Sequence, residues 1–231
     1  MSNYIGNELD LFSNAINWKK YWASKLTPHI CGNVLEVGAG IGTTTPFLFN
    51  SNISKWTCLE PDSAMSEQIQ SKIDNGILSK NINVINGSLQ DITTTYDTII
   101  YIDVLEHIEL DKEEVLKATS LLNKGGKIVS LSPAHQSLYN EFDKKIGHFR
   151  RYNKSSIKKL TNKDLSEIGV FYLDSVGLLA SLTNKLFLKQ AEPQLNQILF
   201  WDKYIIKTSK IIDEIFGFKL GKSIIAIWQR I

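Results

Sequence analysis

The chain has 231 residues, enough for one α/β domain with a sizeable core. Its 26 lysines and arginines against 24 aspartates and glutamates leave a net charge of +2, so no basic field argues for a nucleic-acid partner. There is no basic-then-apolar leader pattern, no apolar run of membrane-spanning length and no internal repeat. Cys31 and Cys58 have no metal-ligand spacing and read as buried free thiols of a reduced, cytoplasmic protein, with no metal expected.

Residues 1–13 carry little pattern. From Ala15 to Leu26, Trp18, Tyr21, Trp22 and Leu26 recur at helical spacing until Pro28 stops the helix. Packing on a sheet edge is the simplest role for such a stripe. Val34, Leu35 and Val37 then read as a buried parallel strand, followed by Gly38, Gly40 and Gly42. Thr43, Thr44 and Thr45 offer N-cap hydroxyls for a helix to about Phe49. Strand, glycine turn and helix hold a nucleotide-like cofactor at the carboxyl end of a strand. The dinucleotide fingerprint fails, because its third glycine would fall at Thr43 or Thr45. The pattern is instead Glu-x-Gly-x-Gly-x-Gly from Glu36 to Gly42, which resembles motif I of the class I S-adenosylmethionine-dependent methyltransferases.

Strand two, Lys55–Leu59, ends in Glu60-Pro61-Asp62, where a carboxylate can accept from both ribose hydroxyls of a nucleoside. Asp62 or Ser63 caps a helix over Ala64–Ile73. Asn81–Ile85 is strand three, followed by the turn Asn86–Leu89. Thr98–Ile102 is strand four. The run from Asp97 through Asp103-Val104-Leu105-Glu106-His107 resembles the family's D-x-x-x-x-D-V-L-E-H block. A helix over Glu109–Leu122, ended by Gly125 and Gly126, leads to strand five, Lys127–Leu131.

The resemblance implies a cofactor, S-adenosylmethionine, held by Glu36, Gly38, Ala39, Gly40, Gly42, Glu60, Pro61, Ser88, Leu89, Asp103 and Val104, with Tyr21 closing over its methionine end. Ser88 departs from the family: it stands where an aspartate takes the adenine amine, so the backbone at Leu89, or Asp91, would do that work. His107 fits a helix cap or core position as well as it fits the lining of the methyl-transfer pocket.

After strand five comes a stretch dense in aromatics and proton-moving groups, residues 138–152. Asp143 to Tyr152 resembles the D-x-x-x-G-H-x-R-R-Y motif of a small-methyltransferase subgroup associated with glycan, lipid-linked saccharide and natural-product pathways. His148 is the candidate base and Asp143 its orienting carboxylate. Arg150 and Arg151 could grip an anionic substrate group, with Tyr139, Tyr152 and His107 also lining the acceptor site. The plain alternative is a loop salt bridge with His148 bonded to backbone.

Beyond a helix over Ile157–Leu165 and strand six, Gly169–Leu173, strand seven is placed at Ser223–Gln229. The roughly 45 residues between them exceed any hairpin loop. Leu178–Leu188 and Leu195–Phe216 have helical apolar spacing, separated by Pro193 and broken near Lys207–Ser209.

The expected fold is a Rossmann-like α/β sheet of seven strands, strand seven antiparallel, helices on both faces and a helical insertion between strands six and seven. The expected organisation is one domain over 1–231: a cofactor-binding core 15–174, a helical cap 175–220 and a final strand 221–231. The implied activity is methyl transfer to a small-molecule or glycan-like acceptor, at oxygen, in natural-product or saccharide biosynthesis. Alternatives are a nitrogen or carboxylate acceptor, or a non-catalytic cofactor-binding subunit. The expected partner is a small or lipid- or glycan-linked acceptor, not nucleic acid. Membrane association is a minority reading, and the chain is expected as a monomer or homodimer.

Overall fold

The computed structural model describes residues 8–183 and 194–231. Seven strands form one sheet in the order β3-β2-β1-β4-β5-β7-β6. They are β1 (Gly32–Val37), β2 (Ile53–Glu60), β3 (Ile82–Asn86), β4 (Tyr96–Ile102), β5 (Leu122–Pro133), β6 (Leu165–Leu173) and β7 (Ser223–Arg230). The first five run parallel, and β7 lies antiparallel between β5 and β6. Alternation sends Val34, Ile100 and Ile102 to one core and Leu35, Val37, Ile99 and Tyr101 to the other.

The helices are α1 (Glu8–Ser13), α2 (Ile16–Leu26), α3 (Thr45–Leu48), α4 (Ser63–Asp74), α5 (Asp111–Ser120), α6 (Glu141–Lys145), α7 (Lys154–Lys158), α8 (Ser175–Thr183), α9 (Leu195–Phe200) and α10 (Ile206–Ile215). Ile69 and Ile73 of α4 share the first core with Trp18, Tyr21 and Trp22 of α2 and with Ile198 and Ile206 of the insertion. Val115 and Ala118 of α5 and Ile157 of α7 pack in the second. Among the described residues, no helix is long and apolar enough to cross a membrane.

Several boundaries differ from the sequence expectation. Helix α5 ends at Ser120, and Leu122 already pairs with Tyr96, so Asn123–Gly126 lies within β5 instead of capping a helix. The predicted helix over Ile157–Leu165 is the shorter α7, because β6 starts at Leu165 to pair with Arg230. The insertion does not break at Lys207–Ser209. A π turn over Trp201–Ile205 joins α9 to α10 without interruption. Leu186–Leu188 and Pro193 lie outside the described residues. Cys58 is buried as expected, but Cys31 is exposed.

Among the described residues, three buried carboxylates bind the insertion to the rest. Asp202 accepts from the backbone N–H of Asn17 at 3.1 Å and of Trp18 at 2.8 Å, which caps α2. Asp213, fully buried, accepts from the Tyr21 hydroxyl and from the N–H groups of Asp174 and Ser175. Asp174 accepts from Gly177 N–H, the Ser209 hydroxyl and the Trp201 indole. The π turn lets consecutive residues Trp201 and Asp202 both reach inward.

Candidate active site

The carboxyl ends of β1, β2, β4 and β5 bring the predicted site together. Gly38, Gly40 and Gly42 have φ of +65°, +56° and +71°. A Cβ on Gly38 would stand 2.7 Å from a Val104 methyl, so the turn after β1 closes directly onto the turn after β4. The Gly40 N–H donates to Glu60 Oε2 at 2.7 Å, and the Asp62 N–H to Glu60 Oε1 at 3.0 Å. Glu60 is thus fixed at the end of β2, where burial raises its pKa against the pull of those two donors. Pro61 beside it is exposed. Leu9 of α1 lies over Gly40 and covers the turn.

Glu36 sits behind this turn. It is fully buried and accepts from Thr44 and Thr45 Oγ1 at 2.6 Å each and from Trp56 Nε1 at 3.0 Å. Burial raises its pKa, opposed by these bonds. The threonines therefore anchor Glu36 and do not cap α3, and Glu36 supports the turn from within the core. Ala39 is buried with its N–H on Leu59.

At the adenine end expected from sequence, Ser88 N–H and Oγ both donate to Asp91 Oδ2, at 2.7 and 3.0 Å. Asp91 is engaged in shaping that turn, and the Leu89 side chain is buried beneath it. Tyr21 packs between α2 and the insertion. It is 2% exposed and its hydroxyl is spent on Asp213, because α2 turns this face toward the insertion.

The stretch after β5 folds into an internal network. Asp143, fully buried, holds Arg151 in a two-point pair, Nε to Oδ1 and Nη2 to Oδ2, both 2.8 Å. The same carboxylate accepts from Asn140 N–H and meets His148 Nδ1 at 2.8 Å. Burial alone would raise the Asp143 pKa, but the His148 and Arg151 bonds bring it below the usual range. Arg150 pairs with Asp111 at 2.6 Å and donates to the Glu109 carbonyl. Tyr152 is 2% exposed; its hydroxyl donates to Asp111 Oδ2 at 2.7 Å and lies 3.1 Å from the Leu105 carbonyl. The two arginines and Tyr152 each bond to a buried acid, Arg151 to Asp143 and Arg150 and Tyr152 to Asp111. Tyr139 is half-buried and donates to the His148 carbonyl at 2.6 Å, so it positions the histidine's backbone.

His148 faces the turn after β4. Its Nε2 lies 3.9 Å from Glu106 Oε1, and its ring meets His107 edge to face at 4.5 Å. Glu106 was absent from the sequence-predicted site. It is fully buried, with the Ser132 hydroxyl the side chain that stands against its carboxyl. Burial and then Asp103 raise the Glu106 pKa well above the carboxylate range. Burial and then His148 lower that of His107 to about 4. Asp103, at φ +54°, is exposed at the cleft, yet crowding by the protein raises its pKa to about 6 against the opposing charges of His148 and Lys222. Lys222, a further residue that sequence reasoning missed, stands with its Nζ 5.1 Å over the Trp201 ring. Two open hollows, of about 480 Å³ beside Glu113 and about 530 Å³ beside Asn50, lie elsewhere and carry none of these residues.

Residues 35–128 match the family model described as a methyltransferase domain. No curated protein matches the chain. Among solved structures, geranyl diphosphate methyltransferase in complex with SAM is similar at 10% identity and a TM-score of 0.64, covering 92% of this chain and 85% of that one. Coclaurine N-methyltransferase bound to N-methylheliamine and SAH gives 15% and 0.62, covering 94% and 72%. The N-methyltransferase NodS from Bradyrhizobium japonicum WM9, in complex with SAH, gives 13% and 0.55, covering 93% and 85%. At such identities the likeness is one of fold. The domain match spans the glycine turn, Glu60 and the turn after β4, the parts whose geometry is described above, so residues 35–128 are similar to a methyltransferase domain over the segment that builds the site.

Proposed function

We propose that the chain transfers a methyl group from S-adenosylmethionine to an oxygen of a small-molecule acceptor, in cytoplasmic natural-product or saccharide biosynthesis. One observation carries the cofactor half: the buried Glu60 carboxylate, tied to Gly40 N–H, at the carboxyl end of β2 beside a turn of three left-handed glycines. The residues fit the cofactor. Glu60 retains lone pairs beyond those taken by Gly40 and Asp62, so it can still accept from ribose hydroxyls. Gly38, Ala39, Gly40 and Gly42 supply backbone, Pro61, Ser88 and Leu89 the adenine side, and Asp103 and Val104 the edge nearest the acceptor. The cofactor brings a methyl group on a positively charged sulfur.

On the acceptor side we assign the catalytic role to His148, oriented by Asp143. Asp143 engages Nδ1 and leaves Nε2 as the nitrogen for acceptor chemistry. A hydroxyl acceptor needs such a group, whereas a carboxylate acceptor does not. His107 lines the same point. The helical insertion forms the wall of the acceptor cleft. Its exposed Leu179, Leu199, Phe200 and Ile211 support an apolar, lipid-linked or glycan-linked acceptor.

Calorimetric titration with S-adenosylhomocysteine tests the reading. Wild type is expected to bind with micromolar affinity, about −8 kcal/mol. Glu60→Ala is expected to lose about 1.5–3 kcal/mol for each charged hydrogen bond removed. No binding by wild type would overturn the proposal.

A further inference from the structure

The Glu106 carboxyl is fully buried, and beyond the Ser132 hydroxyl beside it no side chain among the described residues bonds its oxygens. A buried carboxyl ordinarily has most of its lone pairs taken, so this one has acceptor capacity to spare. Two histidines share its surroundings. His107 follows it on the short turn Leu105–His107, and His148 arrives from the loop whose Phe149 N–H donates to the Glu106 carbonyl at 2.8 Å. One ligand atom from each of Glu106, His107 and His148 lies within 4.8 Å of the other two.

From this arrangement we infer a site for one divalent metal ion held by Glu106, His107 and His148. Two imidazoles and a carboxylate are a donor set for borderline first-row ions such as zinc, cobalt or manganese. Donors about 2.0–2.2 Å from an ion stand roughly 3.4 Å apart in a tetrahedral site. The observed 3.9 Å between His148 Nε2 and Glu106 Oε1 closes to that with a small side-chain adjustment. Behind each imidazole stands the acceptor that ligating histidines require. Asp143 takes Nδ1 of His148, and the Gly147 carbonyl bonds the His107 ring. The Arg151 pair neutralises Asp143, so that carboxylate orients His148 without competing for the ion.

Three protein donors leave positions open toward the cleft, where Asp103 is exposed. An acceptor hydroxyl bound there would be held and acidified by the ion. This consequence rests on the methyl-transfer reading; the binding site does not. When occupied, the ion takes the His148 nitrogen otherwise open to a proton.

The test uses the full chain, stripped with a chelator and titrated with Co²⁺ alone. One ion per chain is expected, with visible absorption bands of nitrogen-ligated cobalt. Glu106→Gln and His148→Asn should each weaken binding at least tenfold. Asp143→Asn, which acts through His148, should weaken it by about 10–100-fold. Circular dichroism identifies variants that fail to fold; if Glu106→Gln does, His148→Asn decides. No binding by wild type, or binding unchanged in a folded ligand variant, overturns the site. S-adenosylhomocysteine binding is read on the same samples. S-adenosylhomocysteine binding without cobalt binding overturns the metal site alone, and cobalt binding without it supports the site while removing the methyl-transfer reading.

Discussion

The Tyr21 hydroxyl donates to Asp213 Oδ2 at 2.7 Å across 192 residues of sequence. The same carboxylate receives two backbone N–H groups at the start of α8. One buried side chain thus fastens α2, α8 and α10. Asp213→Ala should leave three donors unsatisfied and lower stability by at least about 3 kcal/mol, whereas Tyr21→Phe should cost only about 1 kcal/mol. Chemical denaturation of both variants checks the ratio.

Asp202 supplies the N-cap that α2 lacks in its own sequence, where Ala15 precedes the helix and offers no cap. Asp202→Ala should destabilise by about 1–2 kcal/mol. Hydrogen exchange should quicken at Asn17 and Trp18 first, since those N–H groups lose their acceptor.

Gly38→Ala should abolish cofactor binding. The new methyl meets Val104 at 2.7 Å, and the backbone stands at φ +65°. Combining it with Val104→Ala removes the clash but leaves a strain of about 1–2 kcal/mol for a side chain in the left-handed region. Partial recovery of S-adenosylhomocysteine binding in the double variant is the expected result.

Lys19 is 6% exposed, and burial, then Lys72, lower its pKa from the ordinary 10.5 to about 8. Below pH 8 it is charged in both states, and its burial weakens the fold. Between pH 8 and 10.5 the folded protein has released a proton that the unfolded chain still binds, so this group's contribution to stability rises with pH. Lys19→Met should be more stable at pH 7 and lack that rise, measured as the difference between wild-type and variant denaturation at pH 7.5 and 10.5.

Local signals carried most of the fold. Apolar runs such as Thr98–Ile102 and turn chemistry such as Asp62 before α4 are written in neighbouring residues, and the structure keeps both. The glycine turn and Glu60 were legible for the same reason, since a strand end and its turn are contiguous. What stayed hidden depends on partners distant in sequence or on geometry that composition does not encode. The Asp143–Arg151 pair was legible as the plain alternative, since both residues lie in one loop, but nothing local shows that Asp143 is buried. The threonines after Gly42 looked like caps because nothing local shows that Glu36 points back at them. Glu106 drew no notice because its burial is invisible in a string of letters.

The position of β7 governs the order of assembly. Residues Ser223–Arg230 lie between β5 and β6, pairing Lys127 with Gln229 on one side and Leu165 with Arg230 on the other. Until these residues emerge from the ribosome, β5 has no neighbour on that side and β6 has none at all in the sheet. The first five strands can close on their own as each is made, but the β6 side must wait, its hydrophobic strands exposed in the meantime. Contacts this far apart in sequence form slowly. Synthesis of this chain should therefore pass through a half-built sheet that is vulnerable to pairing with another copy of itself, and chaperone dependence should end only with the final strand.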